Sequence, residues 1–229
     1  MPPLRLIASL LVSGLLPATT PAQELPDSGL YGEIRNGHYT APEGRFRLPV
    51  PVLPELGGRT IDTEAVVTFT DEVSTHLSVA CFPLDLSNKW ELETREIKDY
   101  LAYFFGEHVY SNFARRYPGV ANERSEFTPD LRGGALFVFT LLPGGSAFAD
   151  RATVLEGAAG PPPVAKRGTL LFVERGCIFI LSTELAERVT QRSAFQKTAD
   201  EENDLLRTRL LDLVQKLQVT LPRPPARRP

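Results

Sequence analysis

The sequence predicts an α+β fold with a mainly antiparallel sheet of about six to seven strands packed with two long helices. Three observations carry that prediction. Residues 65–84 and 168–183 each read as strand, turn, strand. The run ALFVFTLL (135–142) is nearly continuous in apolar residues, as a strand covered on both faces must be. Residues 94–116 and 198–217 repeat apolar side chains at helical spacing. Strands and helices do not alternate one by one, so a parallel βαβ sheet is not expected.

Taken in order, the chain opens with one cation, Arg5, an apolar run over residues 6–16 and a small-residue segment ending Pro21-Ala22. That is the layout of a secretory signal peptide over 1–22, too short for a membrane span of ~20 apolar residues. The expectation is export to the periplasm or the medium without stable membrane insertion. Residues 23–36 read as a polar, loosely packed lead-in, and 37–220 as a single domain. Pro42-Glu43-Gly44 forms a turn in which Pro fixes one dihedral and Gly accepts a positive φ. Phe46 and Leu48 then alternate with Arg45 and Arg47 until Pro49, Pro51 and Pro54 end the strand.

Residues 65–84 follow as a hairpin that turns at 71–74. Val67 and Phe69 share one face, and Leu77, Val79 and Cys81 share another. The helix predicted over 94–116 carries Ile97, Leu101, Phe104, Phe105 and His108 at helical spacing, and Pro118-Gly119 stops it. Its rings either pack on a sheet or roof a pocket for a small apolar ligand. Tyr100, Phe104, Phe105 and His108 are the candidate ligand-binding residues. Gly133-Gly134 precedes ALFVFTLL, PGGSAFAD (143–150) forms a loop, and ATVLEG (152–157) is a short edge strand. A glycine- and proline-rich loop (158–163) leads to GTLLFVE and CIFILST, which flank Arg175-Gly176 as the clearest hairpin. Thr198 and Glu201 form a capping box for the last helix, whose stripe is Leu206, Leu210, Leu213, Val214 and Leu217. PRPPARRP, within 221–229, is a Pro/Arg-rich disordered tail.

Composition narrows the function classes. Of 25 cationic side chains, Arg5 and three tail arginines lie outside the expected body, leaving 21 against 28 acidic ones. A body with a net charge of −7 lacks the cationic surface that nucleic acid requires. Cys81 and Cys177 each fall on a strand face. A disulfide between them and two buried free thiols are both open, since spatial geometry decides. His38, His76 and His108 stand apart in sequence with no metal-ligand spacing, so no metal or cofactor is expected. Ser146 in Pro-Gly-Gly-Ser reads as a hairpin tip rather than a nucleophile. Asp71-Glu72 and Glu91/Glu93 read as solvated charges, and no phosphate cradle occurs.

With Tyr39-Thr-Ala-Pro-Glu-Gly-Arg-Phe46 leading into a proline-stopped strand, the layout resembles the PsbP-like superfamily. The first hairpin, the helix after it, and the late hairpin with its terminal helix fit that plan over nearly the whole mature chain. The resemblance implies an antiparallel sheet between helices, an α/β/α sandwich, and a binding or assembly role with a protein partner. It assigns no functional residue. The resulting expectation is an exported, non-enzymatic binding or assembly module with a partner in the cell envelope. Its rivals are a hydrolase whose site is assembled from distant residues and a carrier of a small apolar ligand under the aromatic helix.

Overall fold

Period-two alternation becomes strand, and the glycine positions between strands become turns. The computed structural model describes residues 29–73, 75–148, 164–185 and 196–220. The expected signal peptide, the first part of the lead-in, the 152–157 strand, the 158–163 loop and the 221–229 tail lie outside the described residues. The strands are β1 (Glu33–Arg35), β2 (His38–Thr40), β3 (Phe46–Pro49), β4 (Arg59–Asp62), β5 (Val66–Thr70), β6 (His76–Pro83), β7 (Ala121–Thr128), β8 (Ala135–Pro143), β9 (Val164–Glu174), β10 (Cys177–Glu184) and β11 (Gln218–Val219). The helices are α1 (Leu86–Thr94), α2 (Ile97–Phe104), α3 (Ser111–Arg116) and α4 (Ala199–Lys216), with a π-helical segment, Phe105–Tyr110, joining α2 to α3.

The large sheet has the order β4-β5-β6-β10-β9-β8-β7 and the small one β1-β2-β3-β11, with antiparallel neighbours in the pairings of both. The α+β class is as expected from the sequence. The large sheet holds the predicted number of strands, but the strand predicted at Phe46 and Leu48 is β3 of a separate small sheet that was not foreseen. Its β1 begins at Glu33, inside the segment expected to be a loose lead-in, and β4 was not foreseen. ALFVFTLL is buried on both faces, as its composition requires, yet β8 lies second from the sheet edge and β10 is central.

The Tyr39–Phe46 stretch is structural. Tyr39, Phe46 and Leu48 are buried in the core beneath the small sheet. The Tyr39 hydroxyl donates to Asp62 Oδ2 at 2.7 Å, and burial together with that carboxylate raises its pKa. Gly44 takes φ +66° as predicted, and Glu43 beside it takes +58°. In the late hairpin both Arg175 (φ +51°) and Gly176 (φ +73°) occupy the left-handed region, the signature of a two-residue type I′ turn.

Alternation along β8, β9 and β10 sorts the core onto two faces. One face presents Phe137, Phe139, Leu170, Phe172, Phe179 and Leu181 to α4 and the small sheet. The other presents Leu136, Val138, Leu171, Ile178 and Ile180 to α2 and its continuation. Gly168 on β9 lets α4 approach closely, since an added Cβ would stand 3.0 Å from Leu206 Cβ. Thr198 and Glu201 form the predicted capping box. The acidic first turn does more than match the helix dipole. Fully buried Lys166 donates to the Ala199 carbonyl at 3.0 Å and pairs with Glu202 at 3.2 Å and with Glu123.

The helix predicted over 94–116 is composite. It starts at Ile97, and residues 86–94 form a separate helix where the sequence suggested only the solvated charges Glu91 and Glu93. Asp85 caps α1 by accepting from the Asn88 amide, but α1 buries no side chain, so it lacks the apolar stripe that reveals a helix in sequence. Through residues 105–110 the backbone pairs i to i+5, which shifts the helix face away from regular 3.6-residue spacing.

Candidate functional site

Between the aromatic helix and the sheet lies a pocket of about 540 Å³. Its floor follows from strand register. On β6 and β10 the residues facing the helix pair as Phe82 with Ile178, Ala80 with Ile180 and Ser78 with Ser182. Val66 flanks Ala80 from β5. One rung further along, Glu184 of β10 pairs with Arg167 of β9. The floor therefore passes from an aromatic and aliphatic rung, through a small aliphatic rung and a hydroxyl rung, to an ion pair. The three steps between these four rungs span roughly 20 Å of strand. The roof is Phe104, His108, Val109, Asn112 and Phe113. Leu84, Asp85 and Asn88 line the pocket where β6 passes into α1.

The space exists because the floor residues are small. Ala80, Ser78 and Ser182 sit beneath a helix that the π-helical segment has displaced in phase, so no large side chain fills the gap. A pocket of this size with mostly apolar walls and a few convergent polar groups has the character of a small-molecule site.

Arg167 is the least expected feature. Its side chain is only 10% exposed, and Nη1 donates to the fully buried Glu184 carboxylate at 2.8 Å. Glu184 also accepts from the Ser146 hydroxyl and the Ala147 amide. The Arg167 guanidinium lies over the Phe113 ring at 5.2 Å and the Phe148 ring at 4.8 Å. Its Nε–H is buried and has no hydrogen-bond partner among the described residues. Sequence reading missed this residue because the strand was taken to begin at Gly168. Two cations placed directly before an apolar run were the available signal.

The candidate residues divide. Phe104 and His108 line the pocket. His108 is exposed at the rim, with its ring 4.6 Å from that of Phe104. Tyr100 and Phe105 are buried in the core beside it rather than in its wall. The Tyr100 hydroxyl bonds Asn88 Oδ1 at 3.2 Å, and burial pushes its pKa up to about 12.

Cys81 and Cys177 are free and buried. They lie on adjacent strands but diagonally, since Cys81 faces Phe179 and Cys177 faces Pro83. Diagonal Cα separations of ~7–8 Å exceed what a disulfide tolerates without backbone movement. Burial and the neighbouring thiol push Cys81 up to about 12. Ser146 is not a loop tip. It is buried with its hydroxyl committed to Glu184, not to a histidine. Asp71 accepts from the Val73 and Thr75 amides and so shapes the first hairpin turn, where the sequence suggested only a solvated charge. Among the described residues no group of three or more His, Cys, Asp or Glu is placed to hold a metal ion. No described helix is long and apolar enough to cross a membrane.

No protein-family model matches the sequence, and no curated protein matches it. Solved structures similar in chain path include the solution structure of cyanobacterial PsbP (CyanoP) from Synechocystis, at 13% identity and TM-score 0.46, covering 80% of this chain and 91% of that one. The Ran-binding protein Mog1p of Saccharomyces cerevisiae matches at 11% identity and TM-score 0.47, over 82% of this chain and 97% of its own. A Bacteroides thetaiotaomicron structure matches at 7% identity and TM-score 0.38, covering 82% of this chain and 49% of that one. Identities this low assign no residue a role.

Proposed function

We propose that this protein is an exported, non-enzymatic binding module whose site is the pocket between the sheet and the aromatic helix, and that it carries a small apolar ligand. The observation behind this reading is the apolar floor of Ala80, Ile178, Ile180 and Val66 beneath Phe104 and Val109. Catalysis has less support. The hydroxyl and carboxylate that stand closest together, Ser146 and Glu184, are bonded to each other and buried. The test is titration of the purified mature chain with a neutral fluorescent probe such as N-phenyl-1-naphthylamine. Saturable one-to-one binding that n-decanol displaces is the expected result. A linear, non-saturating signal overturns the reading. Export is checked by the mass of the purified protein, which should begin at Gln23; an intact Met1 terminus would contradict it.

Assembly with a protein partner of the cell envelope is the second reading. Leu86 and Trp90, 86% and 61% exposed on one side of α1 beside the pocket, favour it. Crosslinking from Trp90 in native envelope should then recover one protein in fixed proportion. Recovery of a broad background alone counts against it.

A further inference from the structure

The two cysteines stand together with a cation. Cys81 on β6 and Cys177 at the start of β10 lie on one face of the large sheet, on a diagonal of the strand pair. Both belong to the core beneath the small sheet, and their thiols are in hydrogen-bond contact. Arg45, which leads into β3, donates from Nη1 to Cys177 Sγ at 3.7 Å. The same guanidinium holds the carboxylate of Glu43, 57% exposed, at 2.5 Å, and is itself 21% exposed. Cys177 therefore lies one side chain below the surface. A neutral thiol accepts hydrogen bonds weakly, whereas a thiolate forms a charge-assisted bond with a guanidinium. The position of Arg45 suits sulfurs that carry negative charge.

The diagonal that keeps the cysteines from a disulfide suits a longer link. Disulfide sulfurs are ~2 Å apart, while two metal–thiolate bonds of ~2.3 Å in line set them ~4.5 Å apart. That added reach matches a diagonal Cα separation of ~7–8 Å. Charge selects the ion. Two thiolates and a monovalent cation leave one negative charge, which Arg45 cancels; the two S–H protons pass to water as the sulfur–metal bonds form. A divalent ion would leave an uncompensated positive charge in the core. Zinc also calls for four donors. The crevice beside Cys81 is lined by Tyr39, Ala41, Phe46 and Val67, and the carboxylates at hand are Glu43, held by Arg45, and exposed Glu64. Among soft monovalent ions, Cu(I) is the one that thiolates favour. We infer that Cys81 and Cys177 form a two-coordinate site for Cu(I), with Arg45 balancing its charge. This site lies on the opposite sheet face from the apolar pocket and does not depend on it.

The test is anaerobic titration of the purified protein with Cu(I) in competition with bathocuproine disulfonate. One ion per chain should leave the chelator. Copper X-ray absorption of the wild-type complex should show two sulfur neighbours and no nitrogen or oxygen neighbour, a readout that needs no variant. The only other sulfur in the chain is Met1, so two sulfurs identify the cysteines. Cys81→Ser and Cys177→Ser should each lower the affinity about a hundredfold or more, with the fold checked by the denaturation midpoint. Arg45→Met should lower it about tenfold, and Arg45→Lys, which keeps the charge, by less. Copper that stays with the chelator, or that is bound through nitrogen or oxygen, overturns the site. A purified chain lighter by two hydrogens, with both thiols consumed in a disulfide, overturns it as well. Equal losses for the two Arg45 variants overturn the charge-balancing role.

Discussion

The two faces of the large sheet carry similar apolar residues and are finished differently. Beneath α4, Gly168 lets the helix close onto β9, and Phe172 and Phe179 stack in parallel with centroids 5.1 Å apart. Beneath α2 and its continuation the covering helix has more aromatic residues, yet the face keeps a pocket of about 540 Å³. The amount of ring surface in a helix therefore does not decide whether a core is filled. What decides it is the size of the side chains opposite and the phase of the helix, and here Ala80, Ser78 and Ser182 face a helix interrupted by π-helical pairing.

The largest expected contrast comes from deleting one ring on each face. Phe179→Ala empties a site packed on all sides and should cost ~3–5 kcal/mol in chemical denaturation. Phe104→Ala removes a ring that already borders open space, so roughly half that loss is expected. Equal losses would mean that the two faces are equally filled. Next in size is Gly168→Ala, whose new methyl group meets Leu206 Cβ, fixed by its own backbone. A loss of ~1–3 kcal/mol is expected, and an unchanged melting midpoint would show that α4 does not press on β9.

The open face should respond in the opposite direction. Ala80→Leu fills the pocket floor and should stabilise the chain by ~1–2 kcal/mol while abolishing probe binding. Destabilisation would show that the space is smaller than the geometry indicates. Thr198→Ala, which removes half of the capping box on α4, should cost ~1 kcal/mol, read from the denaturation midpoint.

The smallest effect concerns pH. Backbone amides donate to Asp85 at the start of α1 and to Glu201 at the start of α4, and each carboxyl is held below its usual pKa. A lowered folded-state pKa contributes stability at neutral pH, and that contribution disappears as pH falls through the folded value. Acidification should therefore loosen both helix starts. Only α1, which buries no side chain, should open, seen as faster amide exchange at Asn88 than along α4. Equal protection of the two helices would remove this distinction between the faces.

How much of this was legible in the sequence depended on whether the signal was local. Arg175-Gly176, the capping box at Thr198 and the Gly44 turn all follow from residues within four positions of each other, and all were readable. β1 and β4 are three and four residues long and pair at sheet edges, so their alternation is too brief to register. The roof of the pocket was visible as an aromatic helix, and two of its four candidate residues, Phe104 and His108, do line it. The floor was not visible, because knowing that Ala80 and Ile180 pair beneath that helix requires the β6–β10 register. Arg167 was missed because the strand was read from Gly168, and its burial against Glu184 and Phe113 becomes visible only with the β9–β10 register and the helix above it.

The central claim is that an apolar ligand lodges between β6, β10 and the aromatic helix. The most direct measurement is a map of amide and methyl chemical shifts in the purified protein titrated with n-decane. The account predicts saturable shifts concentrated at Val66, Ala80, Ile178, Ile180 and Val109. Shifts confined to the exposed Leu86 and Trp90, or no saturable shifts at all, would contradict it.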